Sequence, residues 1–146
     1  MATAERLLPA GEPVLRLTAM AADANPYGTI FVGWLMGQMA LAAGSVASRH
    51  SGARAPVVAA DGFTFTAPVQ VGDEVSVYAT IVATGRTSMT VAVEIVRRDR
   101  HGEHTERAAQ GRFVLVAMAE DGRPKALNSD VQTSDIKPLL EGNPSV

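Results

Sequence analysis

The chain has no cysteine. That absence rules out disulfides, cysteine-based zinc and iron–sulfur sites, and a thiol nucleophile. It fits a reducing compartment, and a cytoplasmic location is expected. Aromatic residues are also scarce, at 5% of the chain with a single Trp. Positive charge is not in surplus: the formal net charge is −2, with 13 Lys and Arg against 15 Asp and Glu. A nucleic-acid binder usually shows a basic patch or stripe, so no nucleic-acid partner is expected. Residues 1–9 hold Glu5 and Arg6 and no apolar run of signal-peptide length. The one long uncharged stretch runs from Thr29 to Ser48. It is rich in Gly and Ala and carries Gln38, Ser45 and Ser48. It reads as a buried helix rather than a membrane span, and no membrane partner is expected.

Small aliphatic residues fill the place of the missing aromatics. There are 24 alanines and 17 valines in 146 residues. This length suits one domain. Ala and Val bury little area per side chain, so the core must gain its energy from close packing.

The punctuation of the chain divides it simply. Residues 1–12 form a loose leader, 13–126 a single domain, and 127–146 a flexible tail rich in Pro, Gly, Asp and Ser. A short strand is predicted over 14–18. A loop over 20–28 follows, with turn residues Asp23, Asn25, Pro26 and Gly28. The helix is expected from Ile30 to about His50, ended by Gly52, Ala53 and Pro56. Four strands follow over about 57–69, 73–83, 87–98 and 106–119. The first is broken by a bulge at Asp61-Gly62. The second alternates Val75, Val77, Ala79 and Ile81 with Glu74, Ser76, Tyr78 and Thr80, the period of a half-buried strand. The third places Met89, Val91, Val93 and Ile95 on one face, after a turn at Gly85-Arg86.

The fold class is therefore α+β: one long central helix wrapped by a curved antiparallel sheet. A helix apolar nearly all round is not satisfied by one face of one sheet. Gly33, Gly37 and Gly44 are expected to let it approach the sheet closely. A second subunit, pairing edge strands, is expected to cover what remains, giving a homodimer or a higher homo-oligomer such as a tetramer or hexamer.

Four segments carry a family resemblance. Residues 20–39 read MAADANPYGTIFVGWLMGQM. Residues 63–73 read FTFTAPVQVGD, residues 85–88 read GRTS, and residues 121–124 read DGRP. Together they resemble the hot-dog-fold bacterial acyl-CoA thioesterases related to brain acyl-CoA hydrolase. The first segment matches a pattern of roughly M-x-x-D-x-N-x-x-G-D-I-F-G-G-W-x-M-x-Q-M-D. The match covers about residues 13–126. It implies a hot-dog fold and a protein that hydrolyses or binds an acyl thioester of CoA or of acyl-carrier protein. No cofactor is implied, the CoA thioester being substrate or ligand. Members of that family place a catalytic Asp after the Gln-Met pair, where this chain has Ala40. Thr29 stands for an acidic or amide residue, and Ala67 for a basic one. The alternative is thus a non-hydrolytic thioester-binding protein.

Thioester hydrolysis needs an oxyanion donor, a water activator and a slot for the pantetheine arm. A helix N-terminus supplies free N–H groups, so the amides from Ile30 to Gly33 are donor candidates, with Gly33 admitting the thioester to the backbone. Asp61, a carboxylate within an apolar strand, is the leading candidate for the missing base, and structural hydrogen bonding is its other reading. Asn25 is a candidate to orient water or the carbonyl, and Thr29 to cap the helix and present a hydroxyl. The resemblance puts Arg86, Thr87 and Ser88 along the CoA arm. Arg86 suits a phosphate, and Arg97 and Arg98 are alternatives. An acyl tunnel is expected beside Met36, Met39 and Phe65. His50, His101 and His104 are not spaced as metal ligands, so no metal is expected and solvated roles are assigned to them.

Overall fold

The computed structural model describes residues 8–127. The expected tail lies outside the described residues from position 128 on, and the leader does so up to position 7. The elements are β1 (Leu15–Thr18), a short 3₁₀ turn (Ala21–Asp23), α1 (Val32–Ser51), β2 (Val57–Phe65), β3 (Glu74–Thr84), β4 (Ser88–Arg98) and β5 (Thr105–Val116). The five strands form one sheet in the order β1-β3-β4-β5-β2, and every pairing is antiparallel. One helix packs on one face of this sheet, as the α+β reading requires.

The period of the sequence sets the core. Met89, Val91, Val93 and Ile95 of β4 are all fully buried or nearly so, as are Val75 and Val77 of β3. They meet Leu35, Met39, Ala42, Ala43 and Ala47, which recur at helical spacing on the inner side of α1. The alanines let the helix axis lie close to the sheet. Phe63 folds over Gly111, where a Cβ would collide with its ring, and packs tilted against Phe113 with ring centroids 4.9 Å apart. Few aromatics are present, and this pair joins β2 to β5.

Gly52 ends α1 in the left-handed conformation (φ 64°), its N–H donating to the Ser48 carbonyl at 2.8 Å. Gly62, at φ 67°, sits within the register shift between Asp61 and Thr64. The expected bulge is therefore real, and it turns the last part of β2.

Two expectations change. Gly37 and Gly44 do not ease the helix onto the sheet: the space beside each is open. Gly33 lies under the ring of Phe31, which a Cβ would strike. With Leu41 at 63% exposed, the outer side of α1 before Arg49 is uncharged and uncovered in a single chain. The second change concerns β2. It is an edge strand, and of its nine residues only Phe63 is even half-buried. Both surfaces lack what would cover them within one chain.

Candidate functional site

The start of α1 is where backbone groups are left over. Phe31 caps the helix in extended conformation and offers no side-chain acceptor. The Ile30 N–H donates to the Val69 carbonyl at 2.9 Å, and the Phe31 N–H to the Asp23 carbonyl at 2.8 Å. Trp34 and Leu35 both donate to the Phe31 carbonyl. The donors that remain are the N–H groups of Val32 and Gly33, which have no acceptor among the described residues. Of the expected amide series from Ile30 to Gly33, the first half is thus consumed by the loop. The remaining pair sits at the positive end of a 20-residue helix with no acidic residue in its first turn.

The loop before the helix is fixed by one side chain. Asn25 donates from Nδ2 to Thr29 Oγ1 at 2.8 Å. Its Oδ1 accepts from the N–H of Tyr27 at 2.8 Å and of Thr29 at 3.2 Å. The backbone N–H of Asn25 donates to the Thr29 carbonyl at 2.6 Å. Thr29 therefore does not cap α1: it stands before the Phe31 cap and its hydroxyl is engaged by Asn25. Asp23 is structural here, with Oδ2 accepting the Met20 N–H at 3.0 Å.

Asn25, Thr29, Val32, Leu35, Phe65 and Ala67 line a cavity of about 260 Å³. Its polar side is the Asn25–Thr29 pair, and most of the remaining wall is apolar. Ala67 shortens one wall. The cavity is held in place from the sheet. Thr29 bridges Gln70, whose N–H donates to Asp73 Oδ2 at 2.8 Å, and the same oxygen receives Arg97 Nε at 2.6 Å. Arg97 also donates to Glu106 at 2.9 Å and to Asp99. The bond to Asp73 chiefly raises the Arg97 pKa above its ordinary value, against the opposing effect of burial. Arg98 donates to the carbonyls of Asp99 and Gly102 and pairs with Glu74. Both arginines were phosphate candidates, and both are instead committed to their own chain.

The other predicted residues lie at the opposite end of the molecule. Gly85 donates to the Ser88 carbonyl at 2.9 Å and closes the hairpin that carries Arg86, Thr87 and Ser88. Thr87 accepts from the Ala117 N–H and Arg86 from the Leu127 N–H through their carbonyls. This places the hairpin by residues 117–127, which also meet the end of α1 through the Arg54–Met118 bridge. Arg54 and Lys125 line a cavity of about 550 Å³ there. A 20-residue helix is about 30 Å long. The nine strand steps from Ser88 to Arg97 give about the same span. Gly33 and Phe65 thus stand near Asn25 and Thr29, whereas Arg86, Thr87 and Ser88 do not.

Asp61 is not brought to this cavity within the chain. It pairs in register with Arg112, and Arg112 with Ala92, on the sheet face away from α1. Met39 is fully buried core, and Met36 packs against that core, so neither lines the cavity. His50 departs from its expected solvated role: its Nε2 is buried without a partner. Among the described residues no group of three His, Asp or Glu is arranged to hold a metal, and no helix is long and apolar enough to cross a membrane.

Sequence reasoning missed the cavity-lining side chains of Val32 and Leu35, and it assigned Arg97 to a phosphate rather than to the buried ion pairs it makes. An arginine that continues the inward parity of Met89, Val91, Val93 and Ile95 was the available signal for the last.

Comparisons with known proteins agree with this architecture. The family model of the Thioesterase superfamily matches residues 27–103. An uncharacterised acyl-CoA thioester hydrolase of Zymomonas mobilis is 56% identical over 120 residues, covering 82% of this chain and 80% of that protein. The acyl-CoA thioester hydrolase YciA of Salmonella typhimurium is 40% identical over 123 residues, covering 82% of this chain and 92% of that protein. Among solved structures, a hexameric thioesterase from Yersinia pestis superposes with a TM-score of 0.79 at 42% identity, covering 84% of this chain and 99% of that one. The chain belongs to the Thioesterase superfamily and has the hot-dog fold.

Proposed function

We propose that the protein binds acyl-CoA thioesters at the start of α1 and acts as an acyl-CoA thioesterase. The observation that carries this reading is the pair of unpartnered N–H groups on Val32 and Gly33 beside a largely apolar cavity. A thioester carbonyl seated there gains two donors where negative charge develops as water attacks. Asn25 and Thr29 supply the polar contacts that orient carbonyl or water. Gly33 contributes its N–H and makes room for the Phe31 ring, and Phe65 walls the acyl side. Arg86, Thr87 and Ser88 hold the CoA arm, with the Arg86 guanidinium toward phosphate.

The two groups of residues lie about 30 Å apart along α1, so one chain does not present them to the same thioester carbonyl. This supports a homo-oligomer in which the helix end of one copy meets the hairpin end of another. The bare β2 edge and the uncharged outer side of α1 offer the surfaces for it. A solved relative is a hexamer. In such an assembly Asp61, exposed on β2, is the chain's own carboxylate for activating water. A cytoplasmic location belongs to the same proposal, since the cysteine-free chain makes no use of an oxidising compartment.

A second reading is favoured by Ala40. α1 carries no carboxylate at all, Ala40 standing where the family resemblance implies one, and the protein then binds a thioester of CoA or of acyl-carrier protein without cleaving it. Thiol release from a panel of acyl-CoAs separates the readings. Turnover that falls in Asp61→Ala supports the enzyme. An inert wild type that binds butyryl-CoA and gains turnover in Ala40→Asp, by about 10²–10⁴-fold for a restored base, supports the binder. A protein that neither binds nor cleaves any acyl-CoA sinks both.

A further inference from the structure

We infer that Val32 sets the acyl length this site accepts, restricting it to short chains. The inference rests on the thioester reading above and adds a specificity-determining residue to it. Val32 is the first residue of α1 and lines the 260 Å³ cavity together with Leu35, one helical turn on. Helical Cα–Cβ bonds lean toward the N-terminus, so the isopropyl group leans over the cavity rather than away from it. A β-branched side chain in a helix is held in essentially one rotamer, so this wall does not swing aside. Behind it the cavity is lined by Ile30, 3% exposed, Leu35, 3% exposed, and Val69, 1% exposed. Those three belong to the packed core, and core side chains do not yield space cheaply. Val32 itself is 43% exposed, which makes it the adjustable wall.

The N–H of the same residue is one of the two free donors. Its side chain therefore borders the place where the carbonyl sits and where the acyl chain must leave it. In the sequence pattern this chain resembles, the position is glycine. A butyryl group stops beside Val32, whereas an octanoyl chain must pass the Val32 side chain to continue.

The test compares butyryl-CoA with octanoyl-CoA, by kcat/KM or, for an inert protein, by calorimetric affinity. Val32→Ala keeps the helix start, Ala being the better helix former, and removes the bulk. It raises the octanoyl-to-butyryl ratio by about tenfold or more, the effect of a methylene-scale change in a hydrophobic pocket. Val32→Leu lowers the ratio. Thr80→Ala, exposed on β3 and outside the cavity, leaves it unchanged. A ratio that stays within twofold in both Val32 variants, while acyl-CoA is still bound, overturns the role of Val32 and leaves the thioester site standing. A wild type that binds neither thioester removes the site itself, and this inference with it. A wild type that already prefers octanoyl over butyryl refutes the short-chain restriction.

Discussion

Arg97 and Asp73 meet inside the protein, at 2.6 Å, with side chains only 8% and 4% exposed. The pair joins β4 to the turn before β3, and through Gln70 it steadies Thr29 at the mouth of the cavity. Breaking a buried ion pair by removing one partner strands the other charge. Arg97→Met therefore costs about 3–5 kcal/mol in a urea titration, and Asp73→Asn costs nearly as much. The double substitution to apolar residues of similar volume recovers most of that loss. A cost below about 1 kcal/mol for either single change shows that the pair is not the clamp described.

The direction of the Arg97 shift gives a pH prediction. A raised pKa contributes stability that is present below the unfolded pKa and lost as pH rises through the folded one. For arginine that loss lies beyond the alkaline range in which proteins are studied. Arg97→Lys moves it into view, since lysine titrates near 10.4 when unperturbed and higher beside Asp73. The variant loses stability relative to wild type as pH climbs from 9 to 11.5, whereas at pH 8 it shows only the fixed cost of the lost bonds to Asp99 and Glu106. Chemical denaturation at both ends of that range measures the difference.

Asn25 makes three side-chain hydrogen bonds within its own loop. Asn25→Ala removes them all at about 1 kcal/mol each and lets the Thr29 hydroxyl turn. Stability falls by about 1–3 kcal/mol and the affinity for butyryl-CoA falls with it. Asn25→Asp keeps both bonds from backbone N–H groups and loses the one donated to Thr29. It therefore recovers most of the stability but not the affinity. Equal recovery of both properties refutes a part for Asn25 in ligand binding.

The bare edge of β2 predicts an assembly defect. Val58 is 58% exposed there, within the stretch where the β2–β5 register shifts. Val58→Lys puts a solvated charge on the edge, a common way to block strand pairing. The variant sediments at lower mass than wild type and binds acyl-CoA more weakly, while its far-ultraviolet circular dichroism is unchanged. A variant of unchanged mass places the subunit contact elsewhere.

The sequence read well wherever one periodicity dominated. Met89 to Ile95 and Val75 to Val77 could be assigned a buried face because alternation and burial share the same cause. The Asp61-Gly62 break was visible because glycine tolerates the positive φ that the bulge adopts. The glycines of α1 were harder. A small residue suits both a close contact and an empty surface, and only the placement of Leu35 and Met39 decides which face is inside. The site was legible in parts, since the Asn25 loop and the start of α1 are local in sequence. Its other half depends on where the hairpin at Gly85 lands relative to the helix, a long-range fact with no local signature. Arg97 was read as a phosphate contact because its carboxylate partners Asp73, Asp99 and Glu106 come from three separate turns and strands.

The separation of Asn25 from Arg86 along the length of α1 has a genetic consequence. In an assembly built head to hairpin, two inactive chains with lesions at opposite ends are not equivalent to one chain with both. A mixed pair concentrates both defects in one site and leaves the other intact. Coexpressed Asn25 and Arg86 variants should therefore restore activity that neither shows alone, and the protein should display complementation between alleles of a single gene.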